Sequence, residues 1–342
     1  MAENNTMRSI FIAAFTLCLF SMAHAAGPEV RQTDYPAVAA AIDRTLHAWL
    51  YDPAELDRPA YRHVKAAVEA LALQAHSDEA FIEGFREIWR DGPFSHVELN
   101  IAKQPAADLA TYLDTLRIGG GGAQLAWKDD VAILTVHTMM GLDTIEEIDA
   151  AYVAISNHGA GALVIDLREN TGGAFAVRPL VAHLLSAPYS AGVFVSRKWN
   201  EDHREPPGPV EMRAVSPWEG WSLTAFWADV QENALTGIVF EPVEPVFSGP
   251  VYVLTSARTA SAAELAADAL EGSGRALLVG EKTAGKMLSQ KIFDIPGGFQ
   301  LSLPIADYYS VKNGRIEGKG ITPDLATNAA DALDAALRQL QK

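Results

Sequence analysis

Cysteine is nearly missing. The 342-residue sequence holds one, Cys18, and it lies inside a stretch that reads as a leader. Met1–Ala25 has Arg8 as a positive flank, an apolar run Ile10–Met22 and the small-x-small site Ala23-His24-Ala25, which is the pattern of a cleavable secretory signal. Leu17 precedes Cys18, where a lipid-anchor signal needs a small residue. Cleavage after Ala25 leaves 317 residues without cysteine, which excludes disulfides, a thiol nucleophile and a cysteine-bound metal. Zinc patterns are also missing, because the nine histidines are scattered and no HExxH occurs. Positive charge is scarce. Lys and Arg number 27 against 43 Asp and Glu, for a net charge of −16, so nucleic acid and anionic membrane surfaces would be repelled. The apolar run of the leader is too short to span a bilayer comfortably, so no stable membrane insertion is expected after its removal. No cofactor is expected. A periplasmic or secreted protein of a bacterium fits these absences, and ATP-dependent work does not.

What is present is apolar content of 49%, enough for one large or two modest cores. Residues 35–50 and 58–75 carry apolar positions at helical spacing, and Ser77-Asp78-Glu79 opens a third helix through Trp89. Phe94–Ile101 alternates like a strand, with His96 read as a structural histidine. Val131–Val136 is a predicted strand, Thr144–Ser156 a helix, and Ala162–Leu167 a strand apolar enough to be covered on both faces. That strand runs into Asp166-Leu167-Arg168-Glu169-Asn170-Thr171-Gly172-Gly173, in which Asp166 and Arg168 suit an ion pair, and then into a helix to Leu185. Arg197–Pro245 holds four tryptophans and no clear periodicity, and reads as a lid or substrate-facing insertion. Strands over Phe299–Tyr309, the GKGITPDL turn and a helix over Ala329–Gln341 close the chain.

The informative stretch is Thr255–Gln290. The strand VYVLTS (251–256), a helix over Ala262–Leu270 and a second strand ALLVG (276–280) form a βαβ unit, whose strands should be parallel neighbours. The loops after both strands then leave the same sheet edge, which would bring Ser261 and Lys286 together. A lysine amine can serve as base to a serine hydroxyl. Equally, Ser261 could merely cap the helix while Lys286 lies in solvent. GEKTAGK resembles a phosphate-binding loop, but Met287 stands where a hydroxyl is needed. The GxSxG hydrolase pattern fails too: Thr259 and Ala263 occupy the glycine positions, and no histidine follows His203.

TASAAELAADAL, GRALLVGEKTAGK, Gln290, VIDLRENTGG and GKGITPDL together resemble the catalytic core of the tail-specific, or C-terminal-processing, serine peptidases, over about Gln124–Leu337. The resemblance implies a Ser–Lys dyad: Ser261 as nucleophile, Lys286 as base, Gln290 orienting the lysine, and Glu264 matching the family's glutamate after the serine. It implies an oxyanion hole from Gly172 or Gly173 together with Ala262. A lysine base must be neutral, so burial of Lys286 beside Met287 and Leu288 is expected, with Glu264 nearer the serine loop than the amine. The implied fold is α/β, a ClpP/crotonase-like core of ββα units over 119–342 with the lid-like insertion at about 197–245, preceded by an all-helical domain over 26–118. Only 23 residues separate Ile101 from Gln124, too few for the PDZ module many relatives carry there, which puts tail recognition in doubt. The expected function is a secreted serine endopeptidase acting on protein or peptide. The alternatives are a non-catalytic module binding a hydrophobic ligand or peptide, as in the family's retinoid-binding relatives, and a hydrolase of small esters or amides.

Overall fold

A computed structural model describes residues 33–341, so the leader expected over Met1–Ala25, and Cys18 with it, lies outside the described residues. From Asp34 onward they form one compact unit. The chain starts with α1 (Tyr35–Trp49), α2 (Pro59–Gln74) and α3 (Asp78–Trp89). Local chemistry sets their starts. Asp34 accepts from the Ala37 N–H at the head of α1, Ser77 accepts from the Ala80 N–H at the head of α3, and Pro36 and Pro59 occupy first turns, where an N–H is not missed. Their apolar stripes bury Tyr35, Phe81 and Phe85 in the same core as Phe299 and Leu301, so the helical front and the sheets behind it share one hydrophobic cluster. β1 (Glu98–Ile101) is shorter than the predicted strand over 94–101. His96 takes a left-handed φ of +61°, which breaks the extended run that alternation alone suggests.

After α4 (Ala106–Asp114) come β2 (Ala123–Lys128), β3 (Val131–Val136), α5 (Leu142–His158), β4 (Ala162–Asp166) and α6 (Val177–Ala182). The chain continues through β5 (Tyr189–Ser196), α7 (Arg197–Asp202), α8 (Pro209–Ala214), α9 (Leu223–Glu232) and β6 (Leu235–Phe240). It closes with β7 (Val251–Thr255), α10 (Ala262–Gly272), β8 (Leu277–Gly280), β9 (Leu288–Ile295), β10 (Phe299–Ser310), β11 (Gly314–Arg315), β12 (Leu325–Ala326) and α11 (Ala332–Gln339). The segment 197–245 is therefore more regular than its sequence suggests. It holds three short helices and a strand, because β6 pairs antiparallel with β5 and completes a sheet edge.

One sheet has the order β12-β8-β7-β4-β3-β2, with β3, β4, β7 and β8 parallel and β2 an antiparallel hairpin partner. The unit β2-β3-α5 is a ββα element, and β7-α10-β8 is the crossover foreseen from Thr255–Gln290. The sheet is covered on both faces. Val164, Tyr252 and Leu254 pack on α11 through Ala332, Ala335 and Ala336, while Leu163, Ile165 and Val253 face the main core. The second sheet runs β1-β10-β5-β6, with β9 and β11 also paired to β10.

Helix α10 lies in the core, packing against β8 of the first sheet, β5 of the second and α6. Every residue from Ala262 to Leu270 is buried, which explains a helix rich in alanine and lacking a polar face. Two carboxylates are carried into this core one turn apart. Asp268 accepts from Tyr308 Oη at 2.9 Å, Ser310 Oγ at 2.6 Å and Asn313 Nδ2 at 2.9 Å, tying α10 to the end of β10. Burial pushes its pKa up and these bonds pull it back. Replacing Asp268 by alanine leaves three donors unpaired next to a cavity, so a loss of about 2–4 kcal/mol is expected in urea unfolding. A loss below about 0.5 kcal/mol would refute that role for Asp268.

Candidate active site

Ser261 sits between β7 and α10 at φ +55° and ψ −124°. A non-glycine residue held there is strained by about 1–3 kcal/mol, and such a sharp strand-to-helix turn pushes a side chain outward from the sheet. The surrounding loop is stitched to the one after β4. Thr259 Oγ1 donates to Leu167 O at 2.9 Å, and Ala260 N donates to Asn170 O at 3.1 Å. Asn170 is buried and donates through Nδ2 to Val136 O at 2.9 Å. The Gly172 main chain lies against the serine: a Cβ at Gly172 would stand 2.6 Å from Ser261 Cβ and 2.9 Å from Ala260 O. Its φ of +104° is also one that side chains disfavour. No residue larger than glycine fits here.

Glu264 joins the serine loop to the lysine loop. Its side chain is fully buried. Oε2 accepts from Ser261 N at 3.2 Å and Lys286 N at 2.8 Å. Oε1 accepts from Thr283 Oγ1 at 2.6 Å and Gly285 N at 2.8 Å. Burial pushes the carboxyl pKa up, and the bonds from Thr283, Lys286, Gly285 and Ser261 oppose that. In addition, Ser261 N is 2.9 Å from Lys286 O. The convergence read from the βαβ unit is thus made by main chain. Glu264 does stand at the serine loop, and it holds the lysine by its backbone.

The Lys286 side chain is exposed, not buried as expected, and its ammonium has no acceptor among the described residues. Lys286 N is held by Glu264 and Met287 N by Glu317 Oε2 at 2.7 Å; Met287 and Leu288 then turn inward and Lys286 turns out. Four residues on, Gln290 Oε1 is a buried acceptor with no partner among the described residues. The Gln290 main-chain oxygen accepts from Trp227 Nε1 at 3.0 Å.

The two glycines after β4 differ. Gly172 N–H is taken by Asn170 Oδ1 at 2.8 Å, so it is not available to a ligand. Among the described residues the N–H groups of Gly173 and Ala262 have no protein acceptor. Asp166 and Arg168 form the ion pair read from sequence, at 2.6 Å, and Arg168 Nη1 donates to Ala329 O at 2.7 Å.

Sequence reasoning read His96 as structural and singled out neither Ser95 nor Glu317. Ser95 Oγ and His96 Nδ1 are joined by a 2.6 Å hydrogen bond. Ser95 N donates to Oε1 of Glu317, the buried carboxylate that also holds Met287. Burial, followed by the nearby Lys286 charge, pushes the His96 pKa down to about 4. The available signals were weak: two adjacent polar residues inside an alternating run, and a glutamate directly before the GKGITPDL turn. That turn packs backbone to backbone on the lysine loop, with Gly318 N donating to Gly285 O at 2.8 Å. Replacing Glu264 by glutamine, which keeps the shape but faces donors with an amide, is expected to lower unfolding free energy by about 2–4 kcal/mol in urea. An unchanged midpoint would show that Glu264 does not clamp the two loops.

Comparison with known proteins bears on this geometry. The chain is 30% identical over 178 residues to the carboxyl-terminal-processing protease of Picosynechococcus sp., a match covering 52% of this chain and 34% of that protein. It spans about a third of the length of the curated relatives it matches. In fold it is similar to a candidate peptidase of Parabacteroides merdae (TM-score 0.61, 15% identity, 91% of this chain and 98% of that one). It is also similar to the photosystem II D1 C-terminal processing protease (TM-score 0.50, 15% identity, 91% and 98% covered). The architecture is accordingly the α/β one expected, a ClpP/crotonase-like core behind a helical front. The peptidase family S41 model matches residues 130–327, more than half of the chain. That range includes the Gly172–Gly173 turn, the Ser261 turn, Glu264, the Lys286 loop and Glu317, and stops short only of Ser95 and His96: the chain belongs to peptidase family S41.

Proposed function

We propose that this protein is a serine endopeptidase, working in the periplasm or outside the cell, with Ser261 as nucleophile. What carries the reading is the strained Ser261 turn together with the N–H groups of Gly173 and Ala262, which have no protein acceptor among the described residues. In this reading Ser261 Oγ attacks the scissile carbonyl carbon as a base removes its proton. The carbonyl oxygen becomes an oxyanion held by the two N–H groups, a kind of stabilisation worth about 10²–10³ in rate per donor. The base returns the proton to the leaving amine, and water then cleaves the acyl-serine. Gly172 acts through its small size, and Glu264 positions both loops.

The base of the family resemblance is Lys286. A rotation that turned its amine inward would supply the donor that the buried Gln290 Oε1 lacks and would desolvate it, as a lysine base requires. A second reading rests on a different observation: Lys286 is exposed, whereas the half-buried His96 is kept neutral near neutral pH. With Nδ1 donating to Ser95 Oγ, its Nε2 keeps a lone pair, and His96 is the base. The insertion 197–245 fits a cover for substrate. Its Trp218 and Trp221 pack at 5.6 Å and 6.1 Å on Phe175, two residues beyond Gly173, so apolar side chains beside the scissile bond suit this wall.

Ser261→Ala is expected to reduce peptide hydrolysis by about 10⁶, as removal of a serine nucleophile does in subtilisin, with circular dichroism unchanged. Activity within tenfold of wild type would end the proposal. The pH profile separates the bases. With Lys286 as base, kcat/KM rises through one ionisation between about pH 7 and 9, and Lys286→Arg is inactive because guanidinium keeps its proton. With His96 as base, kcat/KM is flat above about pH 5 and falls as acid protonates a group titrating at about 4, and His96→Gln is the inactive variant.

A further inference from the structure

The Arg178 side chain, in the first turn of α6, has no hydrogen-bond or carboxylate partner among the described residues. Acids are not scarce, since 43 Asp and Glu face 27 Lys and Arg. Its exposed guanidinium lies instead over the Trp221 ring, 5.7 Å from the centroid, within cation–π range. A ring held this way neutralises none of the charge and leaves the fork of N–H donors free. Trp221 is itself held under strain. Its φ is +40°, a backbone geometry that a bulky residue keeps only where its surroundings enforce it. Phe175 at 6.1 Å, Trp218 at 5.3 Å and Phe240 at 5.3 Å pack around its ring. A second donor in this cluster also lacks a partner. Trp218 is only 7% exposed, and its indole Nε1 has no acceptor among the described residues, whereas buried donors are ordinarily paired. One aromatic wall thus holds two donors without acceptors.

We infer that Arg178 selects an aspartate or glutamate side chain of the peptide substrate near the scissile bond, an inference that rests on the peptidase reading above. The position follows from contacts that start at the serine. Gly172 lies against it, with a Cβ there 2.6 Å from Ser261 Cβ; Gly173 follows, and Phe175 stands two residues on. Arg178 N donates to Phe175 O at 3.0 Å, so the chain turns over Phe175–Arg178 and does not extend. Two Cα steps and one such turn keep the Arg178 Cα within about 15 Å of the Gly173 Cα. Three residues of extended substrate cover about 10 Å of that, and two long side chains span the remainder. The residue read is therefore within about three positions of the cleaved bond. A carboxylate fits the guanidinium fork with two parallel hydrogen bonds, and the aromatic wall beside it lowers the local dielectric and strengthens them. Apolar substrate side chains pack on the wall, and an acidic one reaches the charge at its rim.

The test uses internally quenched peptides acetylated at the N-terminus and amidated at the C-terminus, so that the only carboxylate is a side chain. In a host sequence cleaved at one bond, glutamate or glutamine is placed at each position from three before to three after that bond. Wild type is expected to prefer glutamate at one of these positions by about tenfold in kcat/KM, the effect of one charge-assisted pair, with the difference in KM. Arg178→Met abolishes the preference, Arg178→Lys keeps part of it, and Arg178→Glu reverses it toward lysine at the same position. An arginine with a merely structural role would not give that reversal. No glutamate preference by wild type at any position, or one that survives in a folded Arg178→Met or Arg178→Glu enzyme, overturns the proposal. Binding of the same peptides to Ser261→Ala, read by fluorescence anisotropy, separates this proposal from the peptidase reading. Tighter binding of the glutamate peptide with no hydrolysis by wild type sinks only the peptidase reading, and equal binding of the glutamate and glutamine peptides sinks the acidic subsite.

Discussion

The Glu264 carboxylate organises the rest of the site. Burying it disfavours its charge, and four donors from Ser261, Thr283, Gly285 and Lys286 offset that cost. Each donor belongs to a loop that has no regular structure of its own. One acceptor therefore fixes the entrance of α10 and the turn after β8 in a single arrangement. The same bonds hold Ser261 at a backbone geometry that an isolated loop would relax. Removing the carboxylate would leave donors on both loops unpaired at once, because Glu264 is the acceptor they share.

Close backbone approach is the second constraint. The loops after β4, β7 and β8 and the turn at Gly318 meet main chain to main chain, not through long side chains. Gly172 lies against Ser261 Cβ, and a Cβ on Gly285 would meet Gly320 N at 2.7 Å. Such contacts leave no room for side chains at Gly172, Gly173, Gly285 and Gly320, so these glycines follow from close packing of the loops, whereas Gly318 faces open space and is favoured by its left-handed φ of +72°. Glu317, bound to Ser95 and Met287, extends the arrangement to the helical front. A region that looks in sequence like a separate packing domain thereby delivers two polar side chains to the edge of the site.

Much of this was legible in the order of residues. The parallel pairing of β7 and β8, the helix start at Ser77 and the Asp166–Arg168 pair follow from local patterns, because each depends on neighbours close in the chain. Less legible were β6, which is a strand because β5 offers it an edge, and the break at His96, which follows from a carboxylate more than two hundred residues later in the chain. Periodicity carries no information about such partners.

The sequence by itself determined the α/β class, the βαβ unit and the convergence of the Ser261 and Lys286 loops, because crossover handedness and strand direction leave little freedom. Only the tertiary structure decided which groups those loops present. Lys286 points out while its backbone is pinned between Glu264 and Glu317, Gly172 N–H is consumed by Asn170 while Gly173 N–H has no acceptor among the described residues, and His96 is brought close enough to feel the lysine charge. Side-chain direction at a junction of loops is set by hydrogen bonds from distant segments, and these exist only once the chain has closed on itself.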